Sequence, residues 1–73
     1  MPHINIKHYP GLTDEQKSEI SNRIQEVIVS VSHCKPSVVS VVMEPVSADE
    51  WHERVIEPEL IAKQSFITIK PNY

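Results

Sequence analysis

The fold is decided by residues 3–44, which read in order HINIKHY, PGL, TDEQKSEISNRIQEVIVSVS, HCKPS and VVSVVME. In the first of these pieces, Ile4 and Ile6 alternate with polar neighbours, which is the period of a half-buried strand. Pro10 and Gly11 end that strand. Gly11 is the only glycine of the chain, so a backbone turn that needs positive φ is expected there.

A long amphipathic helix is predicted over Asp14–Ser32. Thr13 and Gln16 have the spacing of a capping box, in which each residue bonds to the backbone of the other. Five apolar residues recur at helical spacing and form one stripe, which we expect to face the core: Ile20, Ile24, Val27, Ile28 and Val31.

A second strand is predicted over residues 38–44, which are rich in β-branched side chains and are expected to be buried on both faces. Strand, helix and strand in this order form a βαβ unit with parallel strands and a right-handed crossover. Two strands and one helix are too few to enclose a core. We therefore expect another chain to complete the sheet.

The remainder of the chain is short and contains several prolines. Pro45 ends the second strand, and the pattern from Ser47 to Glu50 predicts a short turn that carries Trp51. Pro58 fits the first position of a second helix over residues 58–66. Residues 66–69 fit either the end of that helix or a short strand. The prediction is an α/β (α+β) fold with one βαβ unit, a short C-terminal helix and a single domain over residues 1–73.

The size of the chain favours self-association. A chain of 73 residues buries only about 60% of its unfolded surface when it folds alone. The single cysteine, Cys34, allows no intrachain disulfide and favours a reducing compartment. The four histidines and this cysteine have no paired ligand spacing, and His33 with Cys34 is read as a loop, so no metal is expected. Partner subunits are the remaining way to stabilise so small a domain.

Charge and hydropathy exclude two classes of partner. The net charge is −3 and there is no basic block, which argues against nucleic acid. The longest purely apolar runs are three residues, whereas a membrane-spanning helix needs about 20. No signal-peptide pattern opens the sequence. A soluble, cytoplasmic protein is expected.

Pro2 is the candidate catalytic residue. If Met1 is removed, Pro2 presents a secondary amine at the chain terminus, where burial in an apolar pocket favours its neutral form. Such a nitrogen can act as a general base or as a nucleophile towards carbonyls. If Met1 is retained, the same nitrogen is a tertiary amide and has no basic lone pair. The alternative reading is an ordinary second residue without a role.

The sequences PHINIK (residues 2–7) and TDEQK (residues 13–17), with Gly11 between them, resemble the 4-oxalocrotonate tautomerase family. The resemblance covers the whole chain, including Trp51 after the second strand and the KPNY end at residues 70–73, with a small length difference between Trp51 and Glu59. It implies an isomerase that interconverts enol and keto acids with Pro2 as general base. It also implies that neither a cofactor nor a metal takes part.

The resemblance also implies which residues contact the substrate. Trp51 matches an aromatic pocket residue of the family, although a core aromatic explains it equally well. The two substrate-binding arginines of the family would fall on Leu12 and Ser40, neither of which is charged. This argues against a dicarboxylate and for a monocarboxylate or aryl 2-oxo acid, similar to phenylpyruvate, bound near Leu12, Trp51 and Phe66.

Arg54 or His52 is a candidate replacement for the missing cations, and a solvated surface position explains each of them as well. Hexameric family members end in a glycine-containing hairpin, whereas this chain has no glycine after Gly11. The resemblance therefore implies a homodimer in which two βαβ units form one four-stranded sheet. Two other functions stay open: a non-enzymatic module that binds a small ligand or a partner, and hydrolysis of halogenated acids with Pro2 activating water. The carboxylate and cations that the hydrolysis requires are not evident.

Overall fold

A computed structural model describes residues 1–73 and contains the predicted βαβ unit. Strand β1 (His3–His8), helix α1 (Asp14–Ser32) and strand β2 (Ser40–Pro45) follow one another along the chain. The two strands pair in parallel, with His3 opposite Ser40 and His8 opposite Pro45. The α/β class, the strand order and the parallel pairing are therefore confirmed.

Helix α1 begins and ends where the sequence predicts. The Thr13 hydroxyl accepts from the Gln16 N–H at 3.1 Å, and the Thr13 N–H donates to the Gln16 side-chain oxygen at 2.9 Å, so the capping box is formed. The helix ends at His33, whose left-handed backbone (φ 62°) lets its N–H reach the Val29 carbonyl at 2.9 Å. Gly11 has φ 128°, as expected for the turn before the helix.

The prediction that β2 is buried on both faces is wrong, because α1 covers one face of the sheet only. The strand begins at Ser40 rather than residue 38, since Pro36–Val38 form a 3₁₀ turn. Val42, in the middle of β2, is 42% exposed. We call the face opposite α1 the outer face; by strand alternation it carries His3, Asn5, Lys7, Ser40, Val42 and Glu44.

The predicted C-terminal helix is present, but its bounds and its type differ from the expected helix over residues 58–66. A 3₁₀ turn (Ala48–Glu50) leads into a π-helix (His52–Ile61), and a second 3₁₀ turn covers Gln64–Phe66. Pro58 lies inside the π-helix and not at its start. The wider π turn bonds each N–H five residues back, as Ala62 does to Glu57 at 3.0 Å, and so differs from the α-helix that a leading proline favours. Residues 67–69 form no strand.

One chain encloses very little core. Only Val46 and Val55 are buried, at 1% and 7% exposure. Val27 and Val31 of the predicted inward stripe of α1 are 60% and 76% exposed, so that prediction holds only in part. The chain exposes 5761 Å², whereas a folded monomer of this mass exposes about 4,600 Å². No helix combines the length and the apolar character required to cross a membrane.

Candidate active site

Pro2 lies at the amino-terminal edge of the sheet, immediately before β1. Its carbonyl accepts a hydrogen bond from the Ser40 N–H at 3.1 Å, which fixes Pro2 beside the first residue of β2. The Pro2 residue is half-buried, while Met1 is 99% exposed. The sheet therefore holds Pro2 in place, and the residue in front of it is freely accessible.

His3 and Ser40 form a hydrogen-bonded pair next to Pro2. The two residues are paired across the strands, and His3 Nδ1 lies 2.6 Å from Ser40 Oγ. Both residues are exposed on the outer face. Ser40, the sequence-predicted substrate contact, is thus adjacent to the candidate base within one chain.

Trp51 lies at the opposite, carboxyl-terminal end of the sheet. Its indole meets the ring of Tyr9 edge to face, with centroids 4.9 Å apart and planes at 86°. These two rings, Ile56 and Tyr73 line a cleft of about 500 Å³. The cleft has no charged side chain in its lining, so it suits an apolar or aromatic group.

The other predicted contact residues do not meet Pro2 within the chain. Arg54 forms an ion pair with Glu44 at the end of β2 and lies 4.0 Å from Glu50. Leu12 is half-buried in the turn before α1. Phe66 is 79% exposed.

Strand geometry separates Pro2 from this second group of residues. Seven residue steps lead from Pro2 to Tyr9, and at about 3.3 Å per step the two ends are about 23 Å apart. A small acid cannot span that distance. Within one chain, Pro2 and Ser40 therefore lie together, and Trp51 and Arg54 lie towards the other end of the sheet.

An ionic cluster attaches the π-helix to the outer face. Lys7 Nζ donates to Glu59 at 2.8 Å and to the Arg54 carbonyl at 3.3 Å, and Lys63 Nζ donates to Glu59 at 2.9 Å. The hydrogen bond from Lys7, followed by that from Lys63, holds the pKa of the Glu59 carboxyl below its usual value against the opposing effect of burial. This cluster positions the segment that carries the aromatic cleft.

Sequence reasoning missed three residues of the cleft, and it favoured an exposed or interface position for His3, which lies beside Pro2. Tyr9 could have been found, because strand alternation from His3 places it on the same side as Lys7. Ile56 and Tyr73 could not, because their positions depend on the π-helix. The pairing of His3 with Ser40 follows from the parallel register of the strands. No group of three or more His, Cys, Asp or Glu side chains is placed to hold a metal ion.

Comparison with known proteins agrees with the resemblance seen in the sequence. A family model described as "Tautomerase enzyme" matches residues 2–63. The chain is similar to Tautomerase PptA of Enterobacter sp. and of Klebsiella pneumoniae, each 38% identical over 74 residues, and of Cronobacter sakazakii, 32% identical. Each of these alignments covers 100% of this chain and 97% of the relative. The chain therefore belongs to the tautomerase family of isomerases.

Proposed function

We propose that the enzyme interconverts the enol and keto forms of an aryl 2-oxo acid, of which phenylpyruvate is the test compound, with Pro2 as general base. The observation that carries the proposal is the position of Pro2. It stands at the start of the first strand of a tautomerase fold, half-buried and hydrogen-bonded to Ser40. No other residue of the chain offers a secondary amine.

The proposed reaction only moves a proton. The neutral Pro2 amine accepts the proton of the enol hydroxyl, the carbon–oxygen double bond forms, and the resulting ammonium returns a proton to the neighbouring carbon. Atoms and electrons balance without an oxidant, a reductant or a second substrate. The amine requires that Met1 be removed, and the full exposure of Met1 is compatible with access by an aminopeptidase.

The proposed substrate class rests on the cleft between Tyr9 and Trp51. Three aromatic rings and Ile56 can enclose a phenyl group by stacking and apolar contact. Arg54, a candidate cation, is already paired with Glu44 and lies near Glu50, so its charge is largely compensated. Two guanidinium groups for a dicarboxylate are therefore missing, which favours a single carboxylate.

The proposal requires a homodimer. Pairing of β1 with β1 of a second copy, antiparallel about a two-fold axis, would bring the aromatic cleft of one chain to the Pro2 end of the other. The chain exposes about 1,100 Å² more surface than is expected for a folded monomer of its mass. This excess is larger than the roughly 800 Å² that each partner of a typical complex buries. The radius of gyration points the same way, at 13.6 Å against about 11 Å for a compact domain of this length.

The test is the ketonisation of phenylpyruvate, followed by loss of enol absorbance, in the wild type and in Pro2→Ala. We expect the wild type to accelerate the reaction and Pro2→Ala to lose most of that acceleration. A matched control is Pro36→Ala, in the turn before β2. Unchanged activity in Pro2→Ala would refute the role of Pro2.

The same protein sample distinguishes the alternative, a module that binds a ligand without turning it over. Trp51 is the only tryptophan and lines the cleft, so its fluorescence reports ligand binding directly. Quenching by phenylpyruvate without any acceleration of ketonisation would favour the binding module over the enzyme.

A further inference from the structure

We infer that His3 and Ser40 act as one unit that binds the substrate carboxylate, with His3 as a positioning residue that acts through the Ser40 hydroxyl. The inference rests on the proposed tautomerase function and assigns the carboxylate contact that the missing arginines leave open. It is carried by the 2.6 Å contact between His3 Nδ1 and Ser40 Oγ beside Pro2.

The location suits a small acid that must also reach Pro2. Ser40 is bonded through its backbone to Pro2, and adjacent strands lie only about 4.8 Å apart. Both His3 and Ser40 are exposed, so a ligand can contact them on the outer face. The next residues along that face are Asn5 and Val42, neither of which ionises.

The other cations that contact the outer face are already engaged. Arg54 is paired with Glu44, and Lys7 donates to Glu59 and to a backbone carbonyl. Lys7 and Glu44, the partner of Arg54, lie towards the carboxyl-terminal ends of β1 and β2. His3 lies at the Pro2 end, and its ring bonds to a neutral partner only.

The protonation of His3 decides what Ser40 can do. When the ring is neutral and Nδ1 lacks hydrogen, the hydroxyl donates to Nδ1 and its hydrogen is used. When the ring is an imidazolium, Nδ1–H donates to Oγ, and the hydroxyl hydrogen is free to donate to a carboxylate oxygen. In the proposed complex, the imidazolium, the Ser40 hydroxyl and the carboxylate form a chain of two hydrogen bonds, each strengthened by charge.

A double-mutant cycle tests this unit with phenylpyruvate as substrate. In His3→Asn an amide nitrogen replaces Nδ1 without the charge, and in Ser40→Ala the hydroxyl is absent. Loss of a charge-assisted hydrogen bond should raise KM about tenfold in each variant, with a smaller change in kcat. The double variant should have about the same KM as Ser40→Ala alone, because Ser40→Ala removes the hydroxyl through which the charge of His3 acts. His33→Asn, which keeps the left-handed cap of α1, serves as control with wild-type KM.

A binding measurement separates this inference from the proposed function. Quenching of Trp51 should show weaker binding of cinnamate to His3→Asn and Ser40→Ala, and unchanged binding of the uncharged cinnamamide. Wild-type affinity for cinnamate in both variants, or effects that multiply in the double variant, would overturn the inference even if ketonisation depends on Pro2. Conversely, if the wild type shows no ketonisation but the cinnamate difference is present, the tautomerase substrate is wrong and the His3–Ser40 carboxylate site stands.

Discussion

The ionic cluster around Glu59 leads to a stability prediction that the structure makes quantitative. Glu59→Gln keeps the shape of the side chain and removes its charge. The carboxylate accepts from Lys7, whose side chain is 19% exposed, at 2.8 Å, and from the exposed Lys63 at 2.9 Å. A matched control is Glu19→Gln, which breaks the 2.6 Å pair with Arg23, where both side chains are more than half exposed.

The expected loss in the free energy of unfolding follows from how exposed the paired side chains are. A hydrogen bond to a charged group contributes about 1.5–3 kcal/mol. An exposed ion pair four residues apart, such as Lys63–Glu59, adds about 0.3–0.5 kcal/mol. Because the Glu59 side chain is itself 34% exposed, solvent screening reduces the first value, and we expect Glu59→Gln to cost about 1–1.5 kcal/mol. The control should cost about 0.3–0.5 kcal/mol.

The pH dependence of the stability difference between wild type and Glu59→Gln supplies an independent check. The hydrogen bonds from Lys7 and Lys63 hold the pKa of the Glu59 carboxyl below its usual value in the folded chain. A depressed carboxyl pKa stabilises the fold above the pKa of the unfolded chain, and the contribution is lost as pH falls through the folded value. The difference between wild type and Glu59→Gln should therefore be full at about pH 7 and shrink below about pH 4.5.

Urea unfolding followed by far-UV circular dichroism measures both effects. All variants are compared at one protein concentration, because association of subunits changes apparent stability. The reasoning is refuted if Glu59→Gln is no more destabilising than Glu19→Gln at neutral pH, or if its difference from wild type persists unchanged in acid.

Three further predictions concern the cleft, the association surface and the helix cap. Trp51→Ala should raise the KM for phenylpyruvate about tenfold or more, since stacking on an aromatic ring is worth about 0.5–1.5 kcal/mol beyond the burial of its area. Trp51→Phe should retain most of the affinity. Equal KM values in the two variants would contradict a role of Trp51 in binding. Asn5→Pro, which removes a backbone N–H from the strand β1 that is proposed to pair with a second copy, should shift the protein from dimer to monomer in sedimentation velocity, whereas Thr68→Pro, outside regular structure, should not, and a dimer in both cases would contradict the β1 interface. Thr13→Ala should cost about 1 kcal/mol by removing the capping box of α1, measured by urea unfolding, and Thr68→Ala, outside regular structure, should cost less.

The sequence was sufficient for the βαβ unit because its signals are local. The capping box at Thr13 and the left-handed stop at His33 lie within a few residues of the helix ends they define, and the alternation of Ile4 and Ile6 identifies β1 directly. Pro58 misled the prediction because a proline at a helix start and a proline inside a π-helix have the same local sequence signal. The choice between them depends on contacts with the sheet, such as Lys7 with Glu59.

The site was only partly predictable for the same reason. Pro2 was predicted from its place at the chain terminus and from the resemblance, and Ser40 from the resemblance alone; parallel register explains why the two are adjacent. The distance between Trp51 and Pro2 could not be predicted from their positions in the sequence, since Pro2 precedes the βαβ unit and Trp51 follows it. It follows from strand direction, which places the two residues at opposite ends of the sheet.

The most direct test of the proposed mechanism changes only the nitrogen of Pro2. Pro2→Ala leaves a primary amine after Met1 is removed, so some basicity can remain. The sharper comparison is the processed chain, beginning at Pro2, against the same chain with Met1 retained, both verified by intact mass and by matching circular dichroism. All side chains after Met1 are then identical, and the retained Met1 converts the amine to an amide. The proposal predicts that ketonisation of phenylpyruvate falls by about 10²–10⁴-fold in the chain that keeps Met1. Equal rates in the two chains would contradict it.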